Sequence, residues 1–147
     1  MRAMISEVKS FGAGSLFEGY PDFRIGAVVK PGRPLAWRTS ANFVLVQISY
    51  GMRRLFEWRS QLSFDGRMFA GVLVLASASM ARRVNAKLPD IRIPERVIEK
   101  LENDPRYGLQ VALEQMDTIK ESGLFDGVHL VPVGRYAEMA ELLRARH

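Results

Sequence analysis

Four short segments hold the residues that could do chemistry: Lys30 to Gly32, Gln47 to Tyr50, Ala76 to Ser79, and Pro132 to Arg135. Each follows an apolar run that reads as a strand, and α/β enzymes build their sites at the C-terminal ends of strands. Gln47 is the foremost candidate for binding a substrate, because a side-chain amide offers both donor and acceptor and can read the edge of a heterocycle. Taken by itself, the residue reads more readily as a cap on the strand end, bonded to the next loop. Tyr50, three residues on, is a second substrate-binding candidate that can stack on a flat ring. Ser77 and Ser79 can bond a cofactor, but serines just before a helix serve well as caps, and capping is the preferred reading. Arg135 and Tyr136 open the last helix, where free N–H groups favour anions; packing is the equal alternative. His129, between Val128 and Leu130, reads as a satisfied residue of the sheet wall, with no carboxylate to pair it. No residue is singled out as a catalytic base or nucleophile. Without cysteine, disulfides and thiolate zinc sites are excluded, and no metal site is expected.

The elements that must position these groups alternate along the chain. Met68 to Leu75 is a nearly unbroken apolar run, the pattern of a strand covered on both faces. From Ser77 the period changes: Met80, Ala81, Val84 and Leu88 share one helical face, and Pro89 stops the helix. A short helix begins at Pro94 and ends at Asn103 to Pro105. Leu109, Ala112, Leu113, Met116 and Ile119 mark the strongest helix, with Gly123 placed as its C-terminal cap. Val128 to Pro132 is the last strand, and Gly134 to Arg146 is a closing helix with Tyr136, Met139, Ala140 and Leu143 inward. Upstream, Arg24 to Lys30 and Asn42 to Ser49 are strands, and Met52, Leu55, Phe56 and Leu62 place a helix between Gly51 and Ser63. Four strands joined by crossovers favour a parallel sheet.

The net charge of +5 comes from arginines scattered over the polar sides of several helices. Such scatter argues against a nucleic-acid surface, whose cations cluster on one face. A milder consequence is a positive field that attracts polyanionic ligands, such as a polyglutamate tail or a dinucleotide phosphate. No apolar run reaches the 18 or so residues of a membrane span, and the first residues lack a signal-peptide core, so a cytoplasmic chain without a membrane partner is expected.

The segments IGAVVKP, ANFVLVQISY, FAGVLVLASASMARRV, LPDIRIPERVIEKL and GLQVALEQMDTIKESGLFDGVHLVPVGRY, in that order, resemble the C-terminal half of methylenetetrahydrofolate reductase. The likeness runs from about Gly14 to His147, and its most specific marks are the strand ending in Gln47, the helix start at Ile93, and the strand Val128 to Pro132 followed by helix. The resemblance implies a partial (βα)8 TIM barrel in one domain, its four βα units (residues 21–147) resembling strands five to eight after a loop-like lead-in (residues 1–20). It implies FAD as cofactor, NAD(P)H as reductant and reduction of 5,10-methylenetetrahydrofolate to 5-methyltetrahydrofolate, with Gln47 contacting the folate. The family's flavin-binding residues and its pterin-facing acid belong mostly to the first four strands. Within the matched part, Ala36 stands where the family has a flavin-contacting lysine, Val46 where it has a threonine, and Ala78 where it has a stacking aromatic residue.

A full barrel takes roughly 250 residues, against 147 here. An open half exposes sheet edges, which promote pairing, so a homo-oligomer or a complementary N-terminal half is expected as partner. The Gly-rich stretch Ser10 to Gly19 reads as loop rather than as the beginning of a domain. A non-catalytic half-barrel remnant or binding module is the alternative to an enzyme. Between the strands Arg24 to Lys30 and Asn42 to Ser49 the crossover helix is expected to be deleted or reduced to a turn, because Pro31, Pro34 and the short stretch to Ala41 leave barely enough chain for it.

Overall fold

The computed structural model describes residues 24–146; the lead-in of residues 1–20 lies outside them. In chain order the elements are β1 (Gly26–Val29), β2 (Phe43–Val46), α1 (Met52–Ser60), β3 (Arg67–Leu73), α2 (Ala78–Lys87), α3 (Glu95–Asn103), α4 (Tyr107–Ser122), β4 (Gly127–Val131) and α5 (Tyr136–Arg144). Between β1 and β2 the crossover is a single 3₁₀ turn, Ala36–Ser40, as the two prolines require.

The sheet order is β1-β2-β3-β4 and every pairing is parallel. Four parallel strands with five α-helices make a mixed α/β fold compatible with part of a TIM-type barrel. Among the described residues, β1 and β4 are the two open edges of this sheet.

Register fixes which residues share a face. Val28, Leu45, Phe69 and Gly127 lie in one row, and Gly71 stands beside His129 in the next. The opposite face is helix-covered: Val29, Val44, Val46 and Met68 pack with Leu55 of α1. On the same side, Ala70, Val72 and Val74 pack with Leu109, Ala112 and Ile119 of α4 and Met139 of α5. Burying such branched and long aliphatic chains stabilises the fold by about 25 cal/mol for each Å² of apolar surface removed from water, and this holds the helices to the sheet. Leu73 and Leu75 point the other way and pack with α2, α3 and the connection between them, through Ala81, Ile91, Ile93, Val97 and Ile98. This cluster closes one end of the otherwise open face, where Val28 is 58% exposed and Phe43 meets Phe69 edge to face at 6.3 Å.

The long apolar run behaves as its sequence requires, since Met68 and Ala70 through Leu75 are all buried. Gly123 ends α4 in the left-handed region at φ 64°, a conformation that favours glycine. Two side chains depart from expectation. Tyr136 was expected inward and is 70% exposed: α5 packs on the core through Met139 and Leu143, and its first residue lies beyond that contact. His129 was expected within a packed wall and is exposed, because it lies on the open face of that same edge strand.

Candidate functional site

The ends of β1 and β2 open into a cavity of about 510 Å³ lined by Gln47, Ile48, Ser49 and Tyr50, by Lys30 to Arg33 and Arg54, and by Asp90 to Arg92. Two of the four segments with chemical potential therefore meet in one place. The other two do not line it.

Gln47 continues β2 beyond its ladder, its N–H donating to Val29 O at 2.8 Å. Its side-chain oxygen accepts from the N–H of Ile48 at 3.3 Å. This long bond matches the strand-end cap foreseen for the residue, yet it uses only part of the amide. Among the described residues the amide nitrogen has no partner, so both of its N–H groups are free for a ligand. Beside it, Gly71 lets β3 approach closely: a β-carbon there would stand 2.5 Å from Val46 O and 2.9 Å from Ile48 N. A side chain at position 71 would push out the stretch of backbone that carries Gln47.

Tyr50 forms a wall of the cavity while its hydroxyl turns inward, buried and without a hydrogen-bond partner. Burial pushes its phenol far above the ordinary value of about 10, so it is a neutral ring at physiological pH.

The far rim is held by an arrangement that strand and helix patterns did not reveal. Asn85 of α2 bonds the backbone of Ile93 twice, its Nδ2 donating to Ile93 O at 2.9 Å and its Oδ1 accepting from Ile93 N at 2.8 Å. Ile91 and Ile93 are each only 3% exposed. The loop between α2 and α3 is thus anchored, and it carries Asp90 and Arg92 to the cavity. Asp90 accepts from Lys30 Nζ at 2.6 Å, closing the rim from β1 to this loop. The Lys30 ammonium holds the Asp90 carboxyl below its usual range. Arg33, Arg54 and Arg92 complete the rim, so four cations face a single carboxylate. Arg33, Arg54, Asp90 and Arg92 were not singled out from sequence. The signal was present only as scattered charges, brought together by contacts up to sixty residues apart.

Of the two serines, Ser77 caps the helix, and among the described residues the Ser79 hydroxyl bonds only to Ser77. Ser77 Oγ accepts from Met80 N at 3.2 Å at the start of α2 and lies 3.0 Å from Ser79 Oγ. Arg135 is tied down: its guanidinium grips Glu138 through two bonds of 2.9 and 3.0 Å and also donates to the carbonyl of Pro105. It fastens the start of α5 to the loop before α4, which is the packing alternative considered for it. Tyr136 stands in solvent, away from the cavity.

A parallel α/β sheet with a polar, positively rimmed cavity at its strand ends is the arrangement in which barrel-type α/β proteins place their sites. The chain matches the family model of methylenetetrahydrofolate reductase over residues 37–146, and it belongs to that family. No curated protein matches it. The family is one of enzymes of folate one-carbon metabolism and usually binds FAD.

The residues described here do not fit that flavin. The sheet face around Val28, Leu45 and Phe69 is a single open wall, with Val28 largely exposed. Ala36, where the resemblance places the flavin-contacting lysine, offers a methyl group, which carries no charge and no polar atom. No helix of the described residues is long and apolar enough to cross a membrane.

Proposed function

We propose that this chain supplies the folate-binding part of a methylenetetrahydrofolate reductase, an enzyme in which FAD carries a hydride from NAD(P)H to 5,10-methylenetetrahydrofolate. The observation that carries the proposal is the meeting of Gln47 and Tyr50 in one cavity at the strand ends. The free amide of Gln47 can donate to the pterin edge, and the neutral Tyr50 ring offers an apolar face to the bicycle. The cationic rim attracts the carboxylates of the glutamate tail, a long-range effect that raises local ligand concentration. The flavin is left to residues outside those described, in keeping with the departures at Ala36, Val46 and Ala78. In this reading the flavin site is completed by residues beyond those described, with a second copy of this chain or a complementary N-terminal half as the candidate sources.

Calorimetric titration with 5-methyltetrahydrofolate tests this reading. Gln47→Leu removes a buried ligand bond worth about 1 to 3 kcal/mol, so affinity should fall about fivefold to a hundredfold. Wild-type protein that gives no binding heat, or Gln47→Leu protein that binds equally well, refutes it. Visible flavin absorbance of the purified chain with added FAD should stay absent. Stoichiometric flavin would show that this part builds the flavin site on its own.

A further inference from the structure

We infer that Gln115 of α4 is a positioning residue for Tyr50, its amide oxygen receiving the phenol proton so that the pair fixes the ring as a partition between two cavities. The second cavity, about 380 Å³, lies between the start of α1 and helices α3 and α4, and both Tyr50 and Gln115 line it. Tyr50 also lines the Gln47 cavity, so its ring is the wall they share.

Gln115 is conspicuous because it is the buried polar residue of the described core, only 8% exposed among aliphatic neighbours. Its Oε1 has no partner, and neither has the buried hydroxyl of Tyr50. Buried polar atoms in native proteins are nearly always bonded. An unmade bond of this kind costs more than the bond itself contributes, because the desolvation of each group goes uncompensated. The two orphans on this cavity are complementary, a hydroxyl that must donate and an amide oxygen that can only accept. Both atoms are shut off from bulk solvent. A hydrogen bond from the Tyr50 hydroxyl to the Gln115 amide oxygen would satisfy both at once. Several other cavity-lining polar groups are engaged: the Tyr107 hydroxyl accepts from Lys100 Nζ at 3.4 Å, Glu114 holds Gln110, and Thr118 donates to the Glu114 carbonyl.

The effect on folate rests on the function proposed above, whereas the bond itself does not. The test therefore has two arms on the full 147-residue chain. Proton NMR of the ligand-free protein should show a slowly exchanging tyrosine hydroxyl resonance that vanishes in Tyr50→Phe. It should vanish also in Gln115→Met, which keeps length and volume, and return in Gln115→Glu, which restores an acceptor. A wild-type spectrum without this resonance, or its persistence in Gln115→Met, overturns the inference. In titrations with 5-methyltetrahydrofolate, Gln115→Met and Tyr50→Phe should each weaken binding about fivefold, the order expected for one neutral bond. The double variant should be no weaker than either single one, the signature of coupled residues. Additive losses, or unchanged affinity in all three variants, overturn the positioning role. Absence of folate binding in the wild type refutes the folate reading and leaves the NMR arm to decide the bond.

Discussion

Replacing Gly71 by alanine tests whether the close approach of β3 to β2 is what sets Gln47 in place. The new β-carbon would stand 2.5 Å from Val46 O, 2.9 Å from Ile48 N and 3.2 Å from the carbonyl carbon of Gln47. All three are backbone atoms of β2 and its extension, so no side chain can swing away to relieve them. The strand must shift, straining a ladder in which Val46 pairs with Ala70. Overpacking of this kind costs about 1 to 3 kcal/mol. Alanine also restricts the unfolded chain, which returns about 0.4 to 1 kcal/mol. The expected net loss is therefore about 1 to 2 kcal/mol, or a fall in Tm of about 3 to 7 °C for a chain of this size. Thermal and urea unfolding followed by circular dichroism would measure it, with folate titration on the same protein. Affinity should fall as well, because the displaced backbone carries Gln47. Gly51→Ser is the matched control: its nearest neighbour to a new β-carbon is 3.9 Å away, and it caps α1 without a side-chain bond. Serine there should leave stability unchanged or raise it by a few tenths of a kcal/mol. Gly71→Ala protein as stable as wild type, with undiminished folate affinity, would refute the reasoning.

Tyr50 makes stability depend on alkaline pH: its folded phenol resists ionisation while the unfolded one ionises near pH 10. Its contribution is complete below pH 10 and is lost as pH rises toward the folded value, by roughly 1 kcal/mol at pH 11. Urea midpoints from pH 8 to 11 should fall more steeply for wild type than for Tyr50→Phe, and parallel curves would contradict the buried ring. Asn85→Ala removes both bonds to the Ile93 backbone, so it should cost about 1 to 3 kcal/mol and speed amide exchange between Leu88 and Ile93. Protection unchanged in that loop would mean that Ile91 and Ile93 alone hold it. The purified chain should self-associate through its open sheet edges, as analytical ultracentrifugation would reveal; a strictly monomeric chain over a wide concentration range would contradict this.

Local signals made most of the fold readable. The unbroken run Met68 to Leu75, the change of period after Ser77, the proline at the start of α3 and Gly123 after α4 each report a constraint confined to a few residues. The crossover between β1 and β2 was readable for the same reason, since two prolines in a short segment leave only a turn. Gln47 and Tyr50 could be placed in one site because they lie on one strand end. The rim could not, for Lys30 meets Asp90 and Asn85 meets Ile93 only after β3, α2 and the sheet have assembled. Tyr136 failed for a related reason: its spacing with Met139 and Leu143 marks a helix face, but spacing alone does not show where the covering layer ends. Arg135 had its answer nearby, in a glutamate three residues on, a spacing that brings helical side chains together.

The composition of the cavity also constrains what its residues can contribute to a reaction. Its single carboxylate among the described residues, Asp90, is bonded to Lys30, and no histidine lines it. A general acid or base must stand within hydrogen-bond reach of the proton it moves, and Gln47 and Tyr50 are groups that keep their protons at neutral pH. They can hold and orient a ring; they cannot lower the barrier by proton transfer. In a protein that turns over the folate, Gln47→Leu should therefore raise KM for the folate much more than it lowers kcat, since uniform binding is lost and transition-state chemistry is not. A kcat reduced in proportion to kcat/KM, with KM unchanged, would place Gln47 in the chemical step and overturn this division of labour.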